Sequence, residues 1–159
     1  MHSDARYFED LEVGTVSEAG RYEVTEEEIV EFGEQYDPQP FHVDPEAAEA
    51  SIYGGLIASG WQTAAITMRM LVEHVVDHET SMGSPGVDEL RWSAPVRPGD
   101  VLRVRHELLE KRELESRPDR GLVRYRSTTL NQDDEEVMTM VGLGLVAKRE
   151  TGEDASSPS

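Results

Sequence analysis

The stretch Trp61-Gln-Thr-Ala-Ala-Ile-Thr-Met-Arg-Met-Leu-Val-Glu-His-Val-Val76 limits the possible folds more than any other part of the chain. Its apolar residues occupy nearly every face of a helix, and a helix that is apolar all round is normally buried. At about 1.5 Å per residue this helix would be roughly 24 Å long, the width of a small domain. The sequence therefore predicts a long central helix, with Trp61, Met68, Met70 and the later Trp92 in the core.

The segments around this helix predict a sheet. A capping box formed by Thr25 and Glu28 predicts a short helix over 25–35, preceded by a first strand. After the central helix, alternating apolar residues separated by turn signals predict strands at Val87–Val96, Val101–Glu115, Leu122–Leu130 and Val137–Ala147. Consecutive strands favour an antiparallel meander, and one buried helix with such a sheet makes an α+β domain. We expect this domain to cover 1–148 and a disordered acidic tail to cover 149–159.

The composition restricts the partners and the habitat. The 159 residues include 15 basic and 33 acidic side chains, a formal net charge of −18, which disfavours nucleic acid and anionic membranes as partners. Only two basic residues are lysine. Scarce lysine with high acidity favours a salt-adapted organism over a mesophile with an acidic protein, because salt screens the repulsion. The absence of cysteine excludes disulfides and a cysteine nucleophile. With no apolar signal segment, we expect a cytoplasmic protein.

The segment Tyr36-Asp-Pro-Gln-Pro-Phe-His-Val-Asp-Pro45 is the first candidate site. Two prolines separate Asp37 from His42, so we expect a stiff, non-helical loop that holds both side chains towards one point. An aspartate and a histidine that converge on one water would form an acid/base pair. In the alternative interpretation Asp37 only ends a helix and His42 is a satisfied loop histidine. Asp44 is interpreted as the N-cap of the next short helix.

Two further patterns could carry chemistry. The glycine-rich Gly54-Gly-Leu-Ile-Ala-Ser-Gly-Trp61 leads into the central helix, whose free N–H groups could receive an oxyanion. Alternatively these glycines only permit close packing. His74 and His78 are one helical turn apart and could bind a metal, but no third ligand is evident, so no metal site is predicted. His106 lies in a predicted strand and receives no role.

Three motifs in order resemble the MaoC-like dehydratase family, which includes the R-specific enoyl-CoA hydratases. They are Asp-Pro-Gln-Pro-Phe-His-Val-Asp-Pro at 37–45, Gly-Gly-Leu-Ile-Ala-Ser-Gly-Trp at 54–61 and Ala-Pro-Val-Arg-Pro-Gly-Asp-Val-Leu at 94–102. The resemblance covers about 7–148. It implies a single hotdog domain, in which a curved antiparallel sheet wraps a long buried helix, and a homodimer or a larger homo-oligomer.

The resemblance also implies an activity: reversible syn addition of water to a trans-2-enoyl-CoA, giving an (R)-3-hydroxyacyl-CoA. Asp37 and His42 fall on the catalytic positions, and Gly60 on the glycine whose N–H stabilises the enolate. No cofactor is implied beyond the coenzyme A of the substrate. Gln39 replaces the usual Asn and Ser59 an often-found His. Both positions are expected to bind substrate near the thioester, so the acyl group stays open.

Two other functions remain as alternatives. A hotdog acyl-CoA thioesterase is possible because the fold serves both chemistries, although thioesterases lack this Asp/His loop. A non-catalytic acyl-CoA-binding protein would not need Asp37. In each of these functions the protein binds coenzyme A, whose anionic phosphates require local arginines. Arg91, Arg97 and Arg103 are candidates. The pathway, with fatty acid metabolism among the candidates, stays open.

Overall fold

A computed structural model describes residues 5–149 of the chain. Within them, one antiparallel sheet has the strand order β1-β3-β4-β5-β2. A long helix, α4, follows β1 in the chain and supplies part of the core, so the predicted α+β arrangement of a helix on a sheet is confirmed. The strands are β1 Val16–Glu23, β2 Val87–Trp92, β3 Val101–Glu113, β4 Arg120–Leu130 and β5 Glu136–Ala147. The helices are α1 Glu26–Tyr36, α2 Pro40–Val43, α3 Pro45–Glu49 and α4 Gly60–His74, with a 3-10 turn at Phe8–Asp10.

The predicted meander is correct for the last three strands and wrong for β2. Strands β3, β4 and β5 pair in sequence, but β2 lies at the far edge beside β5, with Leu90 opposite Met140. The strand predicted over Val87–Val96 ends at Trp92. Pro95 has no N–H for a strand ladder, and the Val96 carbonyl instead accepts a hydrogen bond from the Ala58 amide at 2.8 Å.

The first helix begins and ends as its sequence predicts. The Thr25 hydroxyl accepts a hydrogen bond from the Glu28 amide, and the Glu28 carboxylate accepts one from the Thr25 amide. The capping box is therefore formed. The helix ends at Tyr36, where Pro38 disfavours a helical Asp37. The Asp37 N–H still closes the last turn by donating to the Gly33 carbonyl at 2.8 Å.

The segment after Asp37 is more helical than predicted. The expectation of a non-helical loop is wrong for Pro40–Val43, which forms the single turn α2. Pro40 occupies the first position of that turn, where no N–H is needed, so proline starts this helix rather than preventing it. Asp44 caps α3 as predicted, because its Oδ1 accepts from the amides of Glu46 and Ala47.

The central helix is buried on one side only. Gln62, Thr63, Ile66, Thr67, Met70 and Leu71 are its buried residues. The prediction that Trp61, Met68 and Trp92 belong to the core is wrong, because 60%, 42% and 42% of these residues is exposed. Apolarity on all faces marks residues that avoid water, but it does not say whether this chain or another molecule covers them.

The described residues include one position of the predicted C-terminal tail. Of the predicted tail 149–159, only Arg149 is among the described residues, and its Nη2 contacts Asp10 Oδ2 at 2.6 Å. The rest of that prediction lies outside them. Across residues 5–149, no helix has both the length and the apolarity that a membrane span requires.

Candidate active site

Asp37 and His42 converge as the sequence predicts. His42 Nε2 lies 3.3 Å from Asp37 Oδ2. Asp37 is held at the end of α1 and His42 in the single turn of α2. The Gln39 amide donates to the Asp37 carbonyl at 2.8 Å, and the His42 amide donates to the Gln39 carbonyl at 2.9 Å. The acid and the imidazole are therefore in contact. Asp37 also ends α1, as the alternative interpretation has it.

The Asp37 carboxylate receives a hydrogen bond on each oxygen. Gln39 Nε2 donates to Oδ1 at 2.8 Å, and Ser59 Oγ donates to Oδ2 at 2.7 Å. Burial raises the pKa of Asp37, but these two hydrogen bonds, together with the positive charge that His42 carries when it is protonated, outweigh it, so the pKa lies below its ordinary value. The carboxylate is therefore ionised at neutral pH.

The orientation of His42 is fixed by a backbone carbonyl. Its ring is buried, and Nδ1 lies 2.8 Å from the Ile57 carbonyl oxygen. A carbonyl oxygen only accepts, so Nδ1 carries a proton, and Nε2 of the neutral ring is a bare acceptor. Nε2 and Asp37 Oδ2 then both present lone pairs to the same point. A water molecule, with two O–H groups, can donate to both.

The N-terminus of α4 supplies a free donor beside this pair. Ser59 is the N-cap, and its Oγ accepts a hydrogen bond from the Trp61 amide at 3.2 Å. The N–H of Gly60, the first residue of the helix, has no acceptor among the described residues. Amides at this position are unpaired within the helix and lie at the positive end of its dipole. Because Ser59 also touches Asp37, the free amide is one residue from the acid/base pair.

Trp92 holds the first turn of α4, a contact that the sequence did not indicate. Its indole Nε1–H donates to the Gly60 carbonyl at 2.8 Å, and a Cβ on Gly60 would lie 2.5 Å from Trp92 Cε2. Only glycine fits beneath this ring. The close-packing interpretation is thus correct for Gly60, and it is compatible with a free amide.

Gly33 is a second positioning residue that sequence reasoning missed. A Cβ on Gly33 would lie 2.9 Å from the His42 carbonyl oxygen and 3.0 Å from His42 Cβ. The glycine therefore lets α1 lie directly against α2, which brings His42 to Asp37. The available signal was a glycine inside an otherwise regular helical pattern.

The remaining candidates have other partners. Nε2 of His78 donates to the Val72 carbonyl at 2.7 Å, and His74 lies 4.0 Å from Glu73. Over residues 5–149 no group of three or more ligand side chains could hold a metal ion.

The three candidate arginines differ in their partners. Arg91 pairs with Glu89, and Arg103 pairs with Glu18 and Asp134. Arg97 has no carboxylate partner for its guanidinium within the described part of the chain. Its Nη2 donates to the Tyr53 carbonyl at 2.8 Å.

Comparison with known proteins identifies the family. Residues 11–131 match the family model of the MaoC like domain. A MaoC-like dehydratase from Rhodospirillum rubrum is 44% identical, with a TM-score of 0.83 over 90% of this chain and 97% of that one. An R-hydratase from Pseudomonas aeruginosa is 25% identical, with a TM-score of 0.71 over 91% and 87%. A 3-hydroxybutyryl-CoA dehydratase from Methylorubrum extorquens is 32% identical over 149 residues, which are 91% of this chain and 86% of the relative. The fold is thus a hotdog domain, and the chain belongs to the MaoC-like dehydratase family.

Proposed function

We propose that the protein catalyses the reversible hydration of a trans-2-enoyl-CoA to an (R)-3-hydroxyacyl-CoA, without a cofactor other than the substrate's own coenzyme A. The observation that carries this proposal is the contact between an ionised Asp37 and His42, with Ser59, the N-cap residue just before Gly60, hydrogen-bonded to the same carboxylate. The match to hydratase and dehydratase relatives supports the same reaction.

The Gly60 amide receives the thioester oxygen. Adding hydroxide to C3 of the enoyl group pushes electrons onto that oxygen and makes an enolate. A preorganised backbone donor at such an oxygen is typically worth about 2.7–4 kcal/mol in the transition state. The N-terminal end of the α4 dipole adds to this stabilisation, because it favours negative charge.

The water is held by Asp37 and His42 together. As its oxygen bonds to C3, one of its protons moves to His42 Nε2, the stronger base of the pair because Asp37 is held ionised with a lowered pKa. The imidazolium is stabilised by the Asp37 carboxylate. It then gives its proton to C2 of the enolate on the same face, which completes a syn addition and restores the enzyme.

The main role of Gln39 and Ser59 in this proposal is to hold the Asp37 carboxylate. Both donate to its carboxylate and so fix its orientation beside His42. Their assignment as residues that also border the thioester stays a prediction.

Arg97 is the arginine that we propose for the phosphates of coenzyme A. Arg91 and Arg103 are already neutralised by carboxylates, whereas Arg97 keeps its charge beside the Gly54-Gly55 loop. A local positive charge is needed because the chain as a whole is strongly negative.

A homodimer or larger homo-oligomer is also part of the proposal. Trp61, Met68 and Val72 on α4, together with Trp92 at the sheet edge, expose large apolar side chains in the single chain. Self-association would cover them. Sedimentation equilibrium at several salt concentrations tests this, and a monomer throughout would contradict it.

The test of the reaction compares two matched substitutions. With crotonyl-CoA as substrate, hydration is followed by the loss of ultraviolet absorbance of the conjugated enoyl thioester, at low and at about molar salt. We expect Asp37→Asn to lower kcat by about 10²- to 10⁴-fold, the usual contribution of acid–base groups. The control Asp44→Asn makes the same change seven residues away, and we expect it to keep full activity because asparagine also caps helices well.

Two further readouts separate the alternatives. Release of free coenzyme A, measured with a thiol reagent, would identify a thioesterase, and the chain contributes no background because it contains no cysteine. Calorimetric binding of acyl-CoA without any turnover, unchanged by Asp37→Asn, would identify a binding protein. Either result would overturn the proposed hydration.

A further inference from the structure

A cavity of about 390 Å³ lies between the second half of α4 and the inner face of the sheet. This volume is within the usual range of small-molecule sites. Its charged lining residues, Arg6, Glu12 and Asp77, are exposed or only partly buried. The lining is otherwise largely apolar and includes Leu71, Leu108, Val123, Leu143, Leu145 and Val146.

The cavity lies along α4 in the direction that leads away from the candidate active site. At about 100° per residue, Met68 and Leu71 lie within about 80° of Gly60 around the helix, so they share its face. Met68 is eight residues from Gly60, which is about 12 Å along the axis. An extended chain advances about 3.6 Å for three bonds, so about ten bonds cover that distance. An acyl chain whose thioester lies at Gly60 can therefore reach the cavity.

Two aromatic side chains with polar atoms are among the lining residues. His106 and Tyr125 both line the cavity, and their ring centroids are 4.8 Å apart. Neither is used in the proposed hydration. Burial lowers the pKa of His106 to about 4 and raises the pKa of Tyr125, so both side chains are neutral at pH 7.

The hydrogen bonds of His106 determine what it can offer. Nδ1 lies 2.9 Å from Ser127 Oγ, and Ser127 is fully buried. The Ser127 hydroxyl can either donate to Nδ1 or accept from it. We assign Ser127 as the donor, which leaves the ring proton of His106 on Nε2. Nε2 itself has no partner among the described residues, and neither does the Tyr125 hydroxyl. The cavity thus contains two unused donors, His106 Nε2–H and Tyr125 O–H.

We propose that His106 and Tyr125 select enoyl-CoA substrates whose acyl chain carries a neutral oxygen acceptor, such as a keto group, about ten bonds from the thioester. This inference rests on the proposed hydration and names its substrate class. A plain alkyl chain would leave both donors unpaired on binding, and burying unpaired donors is costly. A carboxylate is disfavoured, because an anion in a largely apolar cavity lined by neutral donors is poorly stabilised.

The test compares a twelve-carbon trans-2-enoyl-CoA with its analogue that has a keto group one carbon from the chain end. We expect the wild-type protein to prefer the keto substrate in kcat/KM by about three- to tenfold per hydrogen bond. Tyr125→Phe removes one oxygen and keeps the ring, so it should lose its share of this preference. The keto substrate loses a hydrogen bond, and the alkyl substrate no longer buries that hydroxyl unpaired. His106→Leu should do the same. The matched control His74→Leu changes an exposed histidine outside the cavity and should keep the full preference.

The outcomes separate this inference from the proposed function. Equal kcat/KM of the wild-type protein for the two substrates, or a preference that Tyr125→Phe leaves undiminished, would overturn the role of the cavity and leave hydration standing. If neither these substrates nor crotonyl-CoA is hydrated, the proposed function falls and the inference falls with it. The phenylalanine variant keeps the test decisive if His106→Leu does not fold, because it leaves Ser127 and its partner intact.

Discussion

Ser59→Ala is the substitution whose consequences the geometry defines most fully. The Ser59 hydroxyl donates to Asp37 Oδ2 at 2.7 Å and accepts from the Trp61 amide at 3.2 Å. Alanine removes both contacts. Burial raises the pKa of Asp37, and Ser59 supplies one of the three contacts that together outweigh it. We therefore expect the pKa of Asp37 to rise in the variant.

The cost in stability follows from the two lost hydrogen bonds. A hydrogen bond to a charged group contributes about 1.5–3 kcal/mol, and an N-cap about 0.5–2 kcal/mol. The sum, about 2–5 kcal/mol at pH 7, is an upper range because one hydroxyl serves both partners. A lowered carboxyl pKa contributes stability above the unfolded value of about 3.9, and this contribution disappears as the pH falls through the folded value. The difference between wild type and variant should therefore be largest at neutral pH and shrink in acid.

Two measurements check this expectation. Urea denaturation at several pH values gives the free energy of unfolding, and NMR titration of the Asp37 carboxyl carbon gives its pKa, which we expect to be higher in Ser59→Ala. The control Ser51→Ala also removes a hydroxyl that donates once and accepts once, but its acceptor is the neutral Ala48 carbonyl and its donor the Tyr53 amide. Its cost should not vary with pH. An Asp37 pKa that does not rise in Ser59→Ala would refute the electrostatic role of Ser59.

Three further predictions follow from single contacts. Gly60→Ala places a Cβ against the Trp92 ring, so overpacking should cost about 1–3 kcal/mol and kcat should fall as the amide shifts; unchanged kcat would argue against Gly60 as the donor. Gln62→Met should raise the urea midpoint, because Gln62 Oε1 is buried and has no partner among residues 5–149, and such a group costs about 1–3 kcal/mol; a lower midpoint would show that a partner exists. Arg97→Gln should raise KM for acyl-CoA but not for the matching acyl-pantetheine, which lacks the nucleotide phosphates; equal effects on both would remove the phosphate role.

The features that the sequence predicted well depend on neighbouring residues. The capping box of Thr25 and Glu28, the end of α1 before Pro38 and the Asp44 cap all involve residues within four positions of each other. The three strands after the Pro98 turn agree with the structure to within two residues at each end. The proximity of Asp37 and His42 could also be predicted, because only a short segment with two prolines separates them.

The features that the sequence could not predict depend on distant contacts. Trp92 touches Gly60 from 32 residues away, and His106 meets Ser127 across two strands. These pairs follow from the position of β2 at the sheet edge and from the register of β3 on β4, which hydrophobic patterning does not define. The exposure of Trp61 and Met68 likewise depends on how distant parts of the chain pack, which hydrophobic patterning does not define. Salt adaptation and a cytoplasmic location, inferred from composition and the chain's first residues, stay predictions.

Gln39 and Ser59 gain one shared explanation from the structure. In the sequence they are two separate departures from the hydratase motif, and both concern residues expected beside the substrate. In three dimensions they meet on one group: Gln39 donates to Asp37 Oδ1 and Ser59 to Oδ2. Together they act on the charge of a single carboxylate. A carboxylate held ionised from both sides is a poor proton acceptor but a good partner for an imidazolium, which is why the proton transfer in our proposal falls to His42.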